Sequence, residues 1–170
     1  IAKPSDSAKT INEQLDKGKN IYFTPGTYHA EESIKVNKAN TILIGTGMTS
    51  IIPDNDEAAM EIADVDGIKV AGLIFDAGEK DSNYLLKVGP ANSDKDHSAN
   101  PTILQDLFFR VGGTTDNPTR AKNALEINSN DVITDHFWIW RADHGNGVSW
   151  SGNAADHGLI VNGDNVTCYA

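Results

Sequence analysis

All three tryptophans of the chain, Trp138, Trp140 and Trp150, fall within thirteen residues and interleave with Arg141, Asp143, His144 and Asn146. On an extended strand Trp138 and Trp140 project from the same face. Indole faces flanked by Asp, Asn, Arg and His suit a sugar ring, which needs an apolar surface for its C–H face and several partners for its hydroxyls. A single tryptophan could equally fill core, but three together favour a ligand surface. Trp138, Trp140, Arg141, Asp143, His144 and Trp150 are therefore the expected substrate-binding residues.

Hydrolysing a glycosidic bond takes two carboxyl groups, or one acid and a held water, across the scissile linkage. The local candidates are Asp143, Asp156 and Glu126, each also open to the plainer role of satisfying backbone N–H groups near a turn. Asp precedes His four times, at Asp96-His97, Asp135-His136, Asp143-His144 and Asp156-His157. Neighbours on an extended strand point to opposite faces, so these dipeptides are not expected to form Asp–His couples. A zinc site would want three converging ligands, and a calcium-assisted lyase a carboxylate cluster beside a base. Asp135, Asp143, Asp156 and Arg141 could be gathered that way on adjacent layers, but their spacing does not place them, and no metal or cofactor is expected. No GxSxG, P-loop or dinucleotide glycine pattern accompanies a βαβ unit.

The elements that must carry these residues read as strands. One stretch is helical, Ala8 to Lys17, with Ala8, Ile11 and Leu15 at helical spacing, Ser7 to cap its start and Gly18 its end. After it come short runs rich in Val, Ile, Phe, Tyr and Thr: 21–23, 41–44, 68–75, 103–111, 132–140 and 166–169, separated by Gly, Asn, Asp and Pro. Anchors at Phe23, Leu43, Val70, Leu104, Ile133 and Val166 recur at intervals of 20 to 34 residues, which predicts a solenoid. Wound with equivalent strands stacked in parallel, that is an all-β, right-handed parallel β-helix with one short N-terminal helix, its corners held by Asn128, Asn130, Asn162, Gly163 and Asn165. An antiparallel sandwich would satisfy the turn signals but not the register of the anchors. Two polar stretches, 79–100 and 112–123, read as long loops.

With 170 residues the chain holds one core rather than two. Fourteen basic against 24 acidic residues give a net charge of −10, which disfavours nucleic acid and anionic membrane surfaces as partners. No segment approaches the roughly 20 apolar residues of a membrane span. The single cysteine, Cys168, leaves no internal disulfide. The chain opens without Met or a signal-like region and stops in a strand pattern, so it is expected to be a piece of something longer.

At Thr24-Pro25-Gly26-Thr27-Tyr28-His29, Ile51-Ile52-Pro53-Asp54, Asp64-Val65-Asp66-Gly67-Ile68-Lys69-Val70-Ala71-Gly72 and Asp135-His136-Phe137-Trp138-Ile139-Trp140-Arg141-Ala142-Asp143-His144-Gly145, the chain closely resembles bacterial glycoside hydrolase family 55, secreted β-1,3-glucanases or laminarinases. The resemblance spans nearly the whole chain, and Trp-x-Trp-Arg-Ala-Asp-His-Gly is its most specific run. It implies two right-handed β-helices side by side with an exo-acting, inverting site in the cleft between them. Residues 1–18 would then be a linker and capping helix, and 19–170 the opening coils of the second β-helix, continuing beyond Ala170. The resemblance also implies a catalytic Glu downstream of this chain, so the segment alone is expected to be inactive and to supply a binding wall. Trp140, Arg141, Asp143, His144 and Trp150 match the family run and carry over as glucan contacts. Asn146 departs from it, standing where a related sequence has an acidic residue, so no proton-transfer role carries over to that turn. The expected partners are β-glucan and the rest of the parent polypeptide, including its first β-helix. The competing readings are a non-catalytic carbohydrate-binding β-helix or adhesin and a calcium-dependent polysaccharide lyase.

Overall fold

The computed structural model describes residues 1–169 and shows a parallel β-helix in which the chain winds from one sheet to the other and back. The first coil holds β1 (Ile21–Phe23), β2 (Gly26–Ala30) and β3 (Ile34–Val36); the second holds β4 (Ile42–Gly45), β5 (Thr49–Pro53) and β6 (Met60–Ile62). From the third coil on, the first two strands fuse into one long strand. The pairs are β7 (Lys69–Asp76) with β8 (Ser82–Val88), β9 (Thr102–Val111) with β10 (Ala121–Ile127), and β11 (Val132–Arg141) with β12 (His157–Val161). β13 (Thr167–Cys168) begins the next coil. The first sheet runs β1-β4-β7-β9-β11-β13 with β2 and β5 beside it, and the second β12-β10-β8-β6-β3.

The fusion has a local cause. Each long strand bends at one left-handed residue, Gly72, Asp106 or His136, with φ of 68°, 51° and 51°. Gly72 sits so close to the coil below that a Cβ there would lie 2.7 Å from the Gly45 carbonyl oxygen, so glycine is needed for space as well as for φ. In the next two coils Asp106 and His136 occupy this left-handed position, and their side chains bond to each other.

Inward side chains form one continuous core. Leu73, Leu107 and Phe137 stack in register, as do Phe75, Phe109 and Ile139, with the Phe75 and Phe109 rings stacked at 5.3 Å. Each fully buried side chain of this size contributes about 1.5–3 kcal/mol. Helix α1 (Ala8–Asp16) closes the lower end by burying Ala8, Ile11 and Leu15, as their spacing requires. The Ser7 hydroxyl accepts from the Thr10 N–H, and the Glu31 carboxylate accepts from the N–H groups of Ala8 and Lys9, tying the helix to the first coil. Corner asparagines form ladders: Asn162 donates to Asn128 at 2.7 Å and Asn128 to the Gly89 carbonyl at 3.0 Å. Asn130 accepts from the Asp164 N–H, and Asn165 adopts a φ of 55°.

The observed register corrects three of the expected anchors. Leu43, Val70 and Leu104 pair as anticipated, but Leu104 faces Thr134 rather than Ile133, and Leu43 faces Ile21 rather than Phe23. Ile133 in turn faces Thr167, which puts Val166 one place off. Apolarity misled here because Thr134 is the inward residue, fully buried with its hydroxyl unpartnered, while Ile133 is only half-buried. A one-residue slip exchanges the two faces of a strand. The stretch 79–100 is not one loop, since β8 lies inside it, and 112–123 ends in the start of β10.

The second sheet escaped the sequence reading because its strands carry charge outward. Lys35, Glu61, Lys87 and Glu126 stand in register on successive coils. The connection from β8 to β9 is pinned by a buried histidine. His97, 3% exposed, pairs through Nε2 with Asp64 at 2.9 Å and through Nδ1 with Asp66 at 2.6 Å, while its N–H donates to Asp131. The Ser129 hydroxyl adds a bond to Asp64 at 2.7 Å.

Candidate functional site

Alternation along β11 turns Phe137 and Ile139 into the core and Trp138 and Trp140 outward. The two indoles lie nearly parallel, 19° apart, with centroids 5.8 Å from each other. Below them the register continues the outward face: Trp138 stacks on Phe108 and Phe108 on Ile74, while Trp140 stacks on Arg110 and Arg110 on Asp76. Together Ile74, Phe108, Arg110, Trp138 and Trp140 floor a groove of about 460 Å³, with Met48 at one edge and the Asp106–His136 pair beside it. None of the three tryptophans is core: Trp138 is 59% and Trp150 93% exposed, and Trp140 is half-buried.

At the end of β11 the chain leaves the sheet in a bend, and there Asp143 and His144 do pair, with Oδ1 2.6 Å from Nδ1. This corrects the expectation for adjacent Asp and His, which assumed extended backbone. The other histidines reach to a different coil instead: His29 to Asp54, His97 to Asp64 and Asp66, His136 to Asp106, His157 to Asn123. The His144 ring centroid lies 5.2 Å from that of Trp140. The hydrogen bond from His144, with a smaller contribution from Trp140, holds the Asp143 carboxyl below the usual carboxylate range, so it is an ionised acceptor at neutral pH. Trp140, His144 and Asp143 thus form one cluster, with a stacking face next to hydrogen-bonding groups.

Trp150 sits on the following loop, 142–156, and stacks on no other aromatic ring among the described residues. The loop backbone is nonetheless fixed. Arg141 donates through Nη2 to the Trp150 carbonyl at 2.6 Å and through Nε to the Asn153 carbonyl at 3.1 Å. Arg120 holds the Gly152 carbonyl, and fully buried Asn153 donates to the carbonyls of Val111 and Ala142. The indole is thereby held out toward solvent on a loop fixed through its backbone. Arg141 therefore acts on this loop, with its guanidinium already bonded to the chain.

The three carboxyl candidates are not brought together. Asp143 belongs to the tryptophan cluster. Glu126 is buried on the outward side of the second sheet, where it accepts from Asn128 at 2.7 Å. Burial, and next the Glu126 carboxylate, push the Tyr84 phenol up. Asp156 is exposed just before β12, and its N–H donates to the Lys122 carbonyl. Among the described residues no three His, Cys, Asp or Glu side chains converge as metal ligands would. Residues the sequence reading missed are Phe108, Arg110 with Asp76, and Asp106 with His136. Their signal was the shared register of β7, β9 and β11, which sets Phe108 under Trp138, Arg110 and then Asp76 under Trp140, and Asp106 under His136.

The whole chain, residues 1–170, matches the family described as the LAM55 pectate lyase-like domain. It is similar to a protein named exo-beta-1,3-glucanase from Streptomyces sp. (strain SirexAA-E / ActE), with 50% identity over 166 residues, which are 98% of this chain and 27% of that protein. It is also similar to two solved structures of sacteLam55A from Streptomyces sp. SirexAA-E. One is a glutamate-to-alanine variant in complex with glucose, 50% identical, with a TM-score of 0.95 over 98% of this chain and 30% of that one. The other is 48% identical, also with a TM-score of 0.95, over 99% of this chain and 30% of that one. The chain thus spans less than a third of the length of these relatives.

Proposed function

The chain belongs to the LAM55 pectate lyase-like domain family, and on that premise we propose that it is a segment of a secreted hydrolase that removes glucose from the ends of β-1,3-glucan with inversion. In this reading the segment supplies the substrate-binding wall, and the general acid comes from outside it. The observation that carries the reading is the pair of outward, parallel indoles, with Trp140 flanked by the His144–Asp143 pair. A glucosyl ring laid on Trp140 buries its axial C–H surface while its rim hydroxyls meet an ionised carboxylate and an imidazole. A neutral polysaccharide also fits a chain of net charge −10 better than any anionic ligand. Inversion requires acid and base about 6.5–9.5 Å apart with a water between, and none of Asp143, Asp156 and Glu126 lines the groove. The sequence similarity to the Streptomyces exo-beta-1,3-glucanase supports the same assignment.

The test uses the full-length parent enzyme on laminarin. Trp140→Ala removes the stacking face and Asp143→Asn the anionic acceptor; each is expected to lower kcat/KM at least tenfold, or about 1.4 kcal/mol. The isolated segment is expected to release no glucose. Unchanged kcat/KM in both variants, or turnover by the segment alone, overturns the assignment. Binding of laminarin without any turnover by the parent would move it to a carbohydrate-binding β-helix.

A further inference from the structure

We propose that Arg110, braced by the buried carboxylate of Asp76, is a specificity-determining contact of the groove: its guanidinium donates to a hydroxyl of a glucosyl ring lying on Trp138. This rests on the glucan-binding reading and adds a residue to it.

Asp76, Arg110 and Trp140 occupy one outward column on β7, β9 and β11, about 4.8 Å apart from strand to strand. Asp76 is 2% exposed and takes two bonds from Arg110, from Nε at 2.6 Å and from Nη2 at 3.0 Å. A two-bond fork fixes the plane of a guanidinium as well as its position. Of the five N–H donors of an arginine, this fork leaves three, and they find no other protein acceptor among the described residues. The Arg110 side chain is one-third exposed and lines the groove beside Trp138 and Trp140. Arg141 is likewise held by two bonds, but to the carbonyls of Trp150 and Asn153, and it does not line the groove.

The surroundings select the kind of ligand. The floor of Ile74, Phe108 and Trp138 is apolar and flat. A wholly apolar ligand would leave the Arg110 donors unmet at the rim. An anion would meet Asp106 as well as the overall negative charge. A neutral ring with one apolar face and hydroxyls around its edge satisfies floor and rim together. Because Asp76 sets the distance between donor and stacking surface, a ring whose hydroxyl points elsewhere leaves that donor unpaired, and the loss becomes discrimination.

The experiment compares full-length parent enzyme with its Arg110→Lys variant, which keeps the charge opposite Asp76 but gives up the planar fork. Hydrolysis of laminaritriose is measured by KM and kcat, and its binding by titration calorimetry on the same proteins with the parent's general acid replaced, with Trp140→Ala as reference. For Arg110→Lys the affinity is expected to fall about tenfold and KM to rise by the same factor, with kcat within twofold of wild type. If that variant does not fold, Asp76→Asn is read in its place and must raise KM at least threefold. An unchanged KM, or an effect confined to thermal stability, overturns the Arg110 assignment. If the wild-type enzyme itself fails to bind laminaritriose, the glucan reading falls first and this one with it. If wild type binds and Trp140→Ala loses affinity while Arg110→Lys does not, only the Arg110 assignment falls.

Discussion

Replacing His97 with alanine should destabilise the β8–β9 connection by about 2–4 kcal/mol, an amount that follows from its two carboxylate partners taken separately. The bond to Asp64 joins two side chains that are 3% and 9% exposed, so its loss costs about 2–3 kcal/mol. Asp66 is 56% exposed, and water screening limits that contact to about 1 kcal/mol or less. For a domain of this size the total lowers Tm by about 4–16 °C. The pH dependence has a definite sign. Burial pulls the His97 imidazole down, but its bonds to Asp66 and Asp64 outweigh this and raise it above the ordinary value. Its contribution is therefore complete below about pH 6.5 and fades as pH rises through the raised value. Burial pushes the Asp64 carboxyl up, but the bonds from Ser129 and His97 prevail and hold it below its usual range. That contribution is complete above about pH 3.9 and fades as pH falls through the lowered value. The gap between wild type and His97→Ala should be widest between about pH 4 and 6.5 and shrink by pH 9. Thermal unfolding at pH 5, 7 and 9 measures it, and hydrogen exchange of residues 89–101 assigns it to the connection. A gap that is flat across this range, or below about 1 kcal/mol at pH 5, would refute a charged histidine clamped between two carboxylates.

Thr134→Val should leave the fold intact and raise stability by up to about 1 kcal/mol, because it swaps a buried, unpartnered hydroxyl for a methyl of the same shape; a urea midpoint that falls would show a hidden partner. Gly72→Ala should cost roughly 2–3 kcal/mol, since the new Cβ would meet both a left-handed backbone and the Gly45 carbonyl, and chemical denaturation reads this directly. Trp150→Ala should change stability by less than about 0.5 kcal/mol yet weaken laminaritriose binding several-fold in the parent enzyme. A marked fall in its Tm would mean that the indole packs against the protein after all.

Much of the architecture was legible because the first sheet alternates cleanly: Val70, Leu73 and Phe75, then Leu104, Leu107 and Phe109, are apolar wherever the core needs them. The helix was legible to within one residue, since Ser7 and Gly18 bracket three apolar positions at helical spacing. The second sheet was hidden because β3 and β6 are three residues long and Lys35, Glu61 and Lys87 stand outward, so a charge interrupts each apolar run. At Thr134 a polar residue takes a core position, and counting apolar residues slides the register by one. The site was half legible. The Trp138-x-Trp140 run fixes a face by period alone, whereas the Arg110–Asp76 fork spans 34 residues of sequence and exists only once β7 and β9 are stacked. The Asp143–His144 pair was misjudged because an extended backbone was assumed where the chain bends.

The column Lys35–Glu61–Lys87–Glu126 has a consequence for how the coils find their order. Parallel stacking without a sequence offset sets each side chain directly over its counterpart, and like charges placed so repel. Here the signs alternate, so correct stacking sets each charge beside an opposite one on the next coil. A threading error that skipped one coil would bring lysine over lysine or glutamate over glutamate along this column. The apolar interior, with leucine and phenylalanine repeated at matching heights, discriminates far less between neighbouring coils. The charged exterior of the second sheet thus acts as a parity check on assembly, rejecting shifts by a single turn that the oily centre would tolerate.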